Sequence, residues 1–210
     1  YPLALAMAAA ISKGSEAGNL LRERFYLAVI EPGTRDSNAF VSVLEELRDV
    51  DIHDLGGPVV RSDLAEAVAT LEAETGSCTL MLNSDNHSML LAKSSVDERS
   101  TYHFYDPNFG VFEFNTAQAL SAALTHFFVS QEMAGPYAAY GEPGRPAFDL
   151  IELDADRLNA TVLSSGVPVS SLSDSGSLPE QAPRVRQRLA SARGQSLVSN
   201  GVLGSSLLEL

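Results

Sequence analysis

Two residues of this chain have the types and spacing of an acid–base pair. His87 follows a turn made of Ser84, Asp85 and Asn86, and Asp106 precedes the corner Pro107, Asn108, Phe109 and Gly110. His87–Ala92 and Thr101–Tyr105 read as strands, so antiparallel pairing would bring the start of one and the end of the other to the same sheet edge. There a carboxylate can hold an imidazole in one tautomer while the second ring nitrogen takes a proton. That is the work of a general base and its orienting acid. A catalytic site needs a third member, a thiol or hydroxyl at a helix N-terminus. The dipole and free N–H groups there favour a thiolate first and an oxyanion later.

The elements that must position this pair are two hairpins in series. Cys78–Asn83 and His87–Ala92 form the first, a polar break runs from Lys93 to Ser100, and Thr101–Tyr105 with Val111–Phe114 form the second. Asn, Asp, Gly and Pro clusters bound each strand. With Asn83 expected opposite His87, Cys78 falls opposite Ala92, at the far end of the hairpin. An unpaired cysteine is among the most buried residue types, so Cys78 is expected to be a core thiol. Asp85 or Asn86 is a candidate contributor to an oxyanion hole, while Phe109 and Gly110 are expected only to shape the corner. His103 is expected on the sheet surface or paired, and His53 and His126 are expected to be structural.

Helices precede the sheet. The run Leu3–Ser12 is apolar on all sides, which places it in the core, with Lys13 in its last turn and Gly14 as its stop. Ser15 opens a second helix towards Val29, and Ser37 is expected to cap a third with Phe40, Val43, Leu44 and Leu47 at helical spacing. Asp63 and Glu66 make a capping-box pattern for a helix to Thr75. Asn115 and Gln118 repeat that pattern before Leu120, Ala123, Leu124, Phe127 and Phe128. Met133–Pro146 reads as a loop and Ala147–Leu153 as a strand at the sheet edge. The fold class is therefore α+β, with N-terminal helices packed on an antiparallel sheet.

Residues 1–163 are expected to form one domain, and 164–210 a Ser/Pro-rich linker with a basic C-terminal segment carrying Arg184, Arg186, Arg188 and Arg193. A net charge of −13 over 210 residues argues against binding a phosphate backbone or an anionic membrane surface. A single cysteine excludes an internal disulfide and a Cys-rich zinc site. The four histidines show no ligand spacing, so neither a metal nor a cofactor is expected.

The run Asp85 to Leu91, followed by Tyr102 to Gly110, resembles the YopT/AvrPphB-type papain-like cysteine proteases. There a His begins a strand and an Asp lies in a Phe-Asp-Pro-Asn-Phe-Gly-like corner. The opening from Tyr1 to Ala8 is similar to the stretch after the catalytic Cys in large bacterial toxins, most of all the Makes-caterpillars-floppy-like effector of MARTX toxins and its insect-toxin relatives. The resemblance implies a Cys-His-Asp triad in which His87 is the general base and Asp106 holds the imidazole. The nucleophilic Cys would stand immediately before Tyr1, a position outside this sequence. It further implies a thiol protease, secreted as part of a larger toxin and acting on itself or on host proteins such as small GTPases. Its setting would be the host cytoplasm or endomembranes, with host ADP-ribosylation factors as activators. Two other functions stay open: a Gln deamidase or transglutaminase using the same thioester intermediate, and a non-catalytic module that binds a host GTPase.

Overall fold

The computed structural model describes residues 1–96 and 99–173. The chain opens with helices α1 (Pro2–Ser12), α2 (Ser15–Ile30) and α3 (Arg35–Glu46). Strand β1 (Val60–Asp63) then runs straight into helix α4 (Leu64–Ala73). Strands β2 (Cys78–Asn83), β3 (Ser88–Val96), β4 (Arg99–Asp106) and β5 (Gly110–Phe114) come next as a meander. Helix α5 (Ala117–Thr125), strands β6 (Tyr140–Glu142) and β7 (Arg145–Glu152), and helix α6 (Ala155–Ala160) complete the body. The strands form one antiparallel sheet in the order β1-β7-β2-β3-β4-β5, with β6 paired to β7. The fold class is α+β, as the helix-then-sheet order implies.

The period-two alternation of the strands divides the core into two faces. Met81, Leu90, Ala92, Tyr105 and Ile151 pack towards α1 and its helical neighbours. Leu80, Leu82, Met89, Leu91, Phe104, Phe148 and Leu150 pack towards α4 and α5. Helix α1 fills the first face: every residue from Ala4 to Ile11 is buried, and alanine lets its backbone lie close to the sheet. Gly14 turns the chain out of it at φ 112°, a conformation that suits glycine.

Several local expectations shift. The cap of α3 is Thr34, whose side chain accepts from the Ser37 amide, so the helix starts a turn earlier than a Ser37 cap implies. The cap of α5 is likewise Thr116, one residue past Asn115, and it accepts from Ala119. Strand β7 is not at the edge: it lies between β1 and β2. Strand β1 covers it, and β6 lies inside the stretch Met133–Pro146 that reads as a loop. Strand β3 continues through the polar break to Val96, with Lys93 buried and its ammonium donating to the carbonyls of Glu72 and Glu74 at the end of α4. Those carbonyls would otherwise lack a partner.

The packed body runs past residue 163. Val169 and Leu172 are fully buried, and Lys13 and Arg24 hold the 169–173 segment through the carbonyls of Ser170, Ser171 and Leu172. The basic residues Arg184, Arg186, Arg188 and Arg193 lie outside the described residues.

Candidate active site

The corner after β4 explains its own sequence. Asp106 accepts the Asn108 amide at 2.7 Å through Oδ1, and its carbonyl accepts the Phe109 amide at 3.1 Å. Pro107 supplies the fixed φ of the second turn position. Gly110, at φ 104°, returns the chain into β5 opposite Asp106. Phe109 is exposed and meets the edge of Phe127. One carboxylate oxygen is thus used by the turn and the other is left pointing away from it.

That second oxygen, Asp106 Oδ2, lies 3.2 Å from His87 Nε2. Asp106 is 0% exposed and the His87 side chain 16% exposed. A carboxylate only accepts, so a hydrogen bond across this contact needs the proton on Nε2, and a neutral ring in that tautomer has its lone pair at Nδ1. Among the described residues Nδ1 makes no hydrogen bond. Such an arrangement can take up a proton at Nδ1 and share the resulting charge with a buried carboxylate.

His87 itself stands just outside β3, as the last residue of the turn that joins β2 to β3. The turn closes through Ser84: its amide donates to the His87 carbonyl at 2.9 Å, and its Oγ accepts the His87 amide. Because four residues make this turn, Asn83 pairs with Ser88 and Cys78 with Lys93, one position on from the expected register. Asp85 and Asn86 use their side chains to tie the turn down. Asp85 Oδ1 accepts from the Tyr140 hydroxyl at 2.6 Å, and the Asn86 amide donates to the Pro136 carbonyl at 3.1 Å.

Tyr137 completes the site. Its ring stacks on the imidazole with centroids 4.2 Å apart and planes 29° from parallel. Its hydroxyl accepts from Asn108 Nδ2 at 3.3 Å. Burial, joined by the nearby Asp106 carboxylate, pushes its phenol above the ordinary range. Tyr137 does not stand out in the sequence because it lies in a run of Gly, Pro and Ala. The available signal was a large aromatic inside an otherwise small-residue segment.

The other candidates lie elsewhere. Cys78 is buried at the opposite end of the hairpin from His87, and burial, reinforced by Glu152 and Glu74, pushes its thiol up to about 12. His103 is buried on β4 beside Glu113, at 4.0 Å, and burial lowers its affinity for a proton. His126 meets Gln131, and His53 is exposed in a short helical turn. Leu3, in the first turn of α1, shares the wall of a small apolar cavity with Tyr105, Pro107 and Gly110, so that helix end lies against the corner carrying Asp106. Among the described residues no group of three or more His, Cys, Asp or Glu could hold a metal ion. Nor is any described helix long and apolar enough to cross a membrane.

Comparison with known proteins gives one family. The family described as the Mcf1 protease effector domain matches residues 1–183. No curated protein matches. One matching solved structure is that of PatoxP, a cysteine protease-like domain of the Photorhabdus asymbiotica toxin PaTox. It is 17% identical with a TM-score of 0.42, over 79% of this chain and 57% of that one. This chain therefore spans less than two thirds of that structure's length.

Proposed function

The chain belongs to the Mcf1 protease effector domain family, and on that premise we propose that it carries the His and Asp of a Cys-His-Asp thiol protease acting on host proteins. The observation that carries this reading is the His87–Asp106 pair, with Nε2 held by a fully buried carboxylate and Nδ1 without a partner among the described residues. The nucleophile is a cysteine immediately before Tyr1, at the N-terminus of the buried helix α1. Tyr1 is the N-cap of that helix and its carbonyl accepts the Leu5 amide, so a preceding residue stands at the positive end of the dipole.

The reaction balances on these groups. The cysteine thiol gives its proton to His87 Nδ1, and the thiolate adds to the scissile carbonyl carbon. The oxyanion that forms is met by N–H groups at the start of α1. The imidazolium then protonates the leaving amine as the C–N bond breaks, and water releases the acyl group by the reverse sequence. Asp106 fixes the ring throughout.

The test is a chain extended upstream through Cys, incubated with candidate host small GTPases beside His87→Ala and Asp106→Asn. Intact-mass analysis separates peptide-bond cleavage from conversion of glutamine to glutamate. Cleavage by the extended chain that disappears in both variants supports the reading, and cleavage that survives His87→Ala overturns it. Conversion of glutamine without cleavage reassigns the same pair to a deamidase.

A further inference from the structure

Aromatic residues in a core ordinarily meet one another edge-on or tilted. Tyr137 does so with Phe127 and Phe128, at centroid distances of 5.9 and 6.1 Å. Towards His87 it does something else: a near-parallel stack at 4.2 Å. A phenylalanine would fill that core volume as well. The hydroxyl, however, engages Asn108, the residue whose amide is bonded to Asp106. One side chain thus touches both halves of the turn-and-base assembly while remaining 6% exposed.

We propose that Tyr137 is the positioning residue of the His87–Asp106 pair. Its ring is the wall that holds the imidazole in the plane where Nε2 reaches Asp106 and Nδ1 stays available. Without it, the His87 side chain is free to turn about χ1 and χ2, since among the described residues its ring has one hydrogen bond only. The stack also excludes water from that hydrogen bond. When Nδ1 takes a proton, the electron-rich face of the phenol ring stabilises the imidazolium. Asn108 transmits the same constraint to the carboxylate, because its amide and its side chain bind Asp106 and Tyr137 together.

The functional meaning rests on His87 being the general base, but the physical content is measurable on this chain alone. Nitrogen-15 NMR of labelled histidine should show the neutral His87 ring with Nε2 protonated and Nδ1 bare. Its carbon-bound ring protons should be shifted upfield by the Tyr137 ring current. Tyr137→Phe keeps the flat face and should keep both signatures. Tyr137→Leu, and Tyr137→Met should Leu fail to fold, should give averaged tautomers and lose the upfield shift. A folded Leu or Met variant with the wild-type pattern overturns the proposal, as does a wild-type His87 without the ring-current shift. In the chain extended through Cys, Tyr137→Leu should lower kcat at least about tenfold with KM within about twofold, and Tyr137→Phe, which keeps the stack and loses only the bond to Asn108, should fall between Leu and wild type. If His87 proves dispensable for cleavage, the function reading fails while the NMR result stands.

Discussion

The Tyr140 hydroxyl donates to Asp85 Oδ1 at 2.6 Å, across 55 positions of sequence. This bond fastens the turn that carries His87 to the β6–β7 hairpin. Arg61 extends the brace: its guanidinium lies 3.4 Å over the Tyr140 ring and forms two hydrogen bonds to Asp149. Strand β1, at the sheet edge, is therefore linked through Arg61, Tyr140 and Asp85 to the candidate base. The His-bearing turn is held from outside its own hairpin.

Replacing Tyr140 by Phe should loosen that turn and little else. The aromatic face under Arg61 remains, and only the bond to Asp85 is lost. Hydrogen exchange should rise several-fold at the amides of Ser84 and Asp85, whose partners are the carbonyls of His87 and Ala138, and stay unchanged in β4. Unchanged exchange in the turn would show that the bonds of Ser84 and Asn86 hold it without Tyr140.

Cys78 should resist alkylation in the native protein. The thiolate is the reacting form, and a thiol pushed up to about 12 by burial leaves a thiolate fraction on the order of 10⁻⁴ at pH 8. Iodoacetamide should modify it only in denaturant. Rapid stoichiometric modification of the folded chain at pH 8 would remove Cys78 from the core and make it a candidate nucleophile.

The parts of the site that were legible beforehand are those that local chemistry imposes. Asp106 to Gly110 is a turn whose every residue has a local reason, and Asp63 with Glu66 forms the reciprocal capping box. The buried α1 is a consequence of its lack of a polar face. The illegible parts depend on partners distant in sequence. β1 has four residues and no alternating pattern, and β6 has three, so neither stands out from its loop. Lys93 interrupts an apolar run, yet it belongs inside a strand because the end of α4 supplies carbonyls for its ammonium. Tyr137 acquires its role only when the segment after α5 folds back on His87.

Gly56 should not tolerate a side chain. A Cβ there would stand 2.6 Å from Ile151 Cγ2 and 2.8 Å from the Glu152 carbonyl oxygen. Gly56 also forms a bridge to Leu153, so the chain cannot simply move away. Overpacking of this kind costs about 1–3 kcal/mol. Gly56→Ala should lower the urea midpoint accordingly at an unchanged m-value. A midpoint equal to that of wild type would mean that β7 shifts to make room.

Asp63 should make stability fall on the acid side. The Glu66 amide, together with the guanidinium of Arg145, holds its carboxyl below the usual carboxylate range. A carboxyl held low in the folded chain contributes stability above its unfolded pKa and loses that contribution as pH falls through the lower folded value. Asn in the same place keeps the cap, because its side-chain oxygen still accepts from Glu66, but it has no charge for Arg145. Asp63→Asn should therefore melt a few degrees below wild type at pH 7, and the gap should begin to narrow as pH drops below about 4 and close as pH falls through the lower folded value, where the wild-type carboxyl also becomes neutral. A gap that persists at pH 2 would place the effect in the shape of the amide and not in the charge.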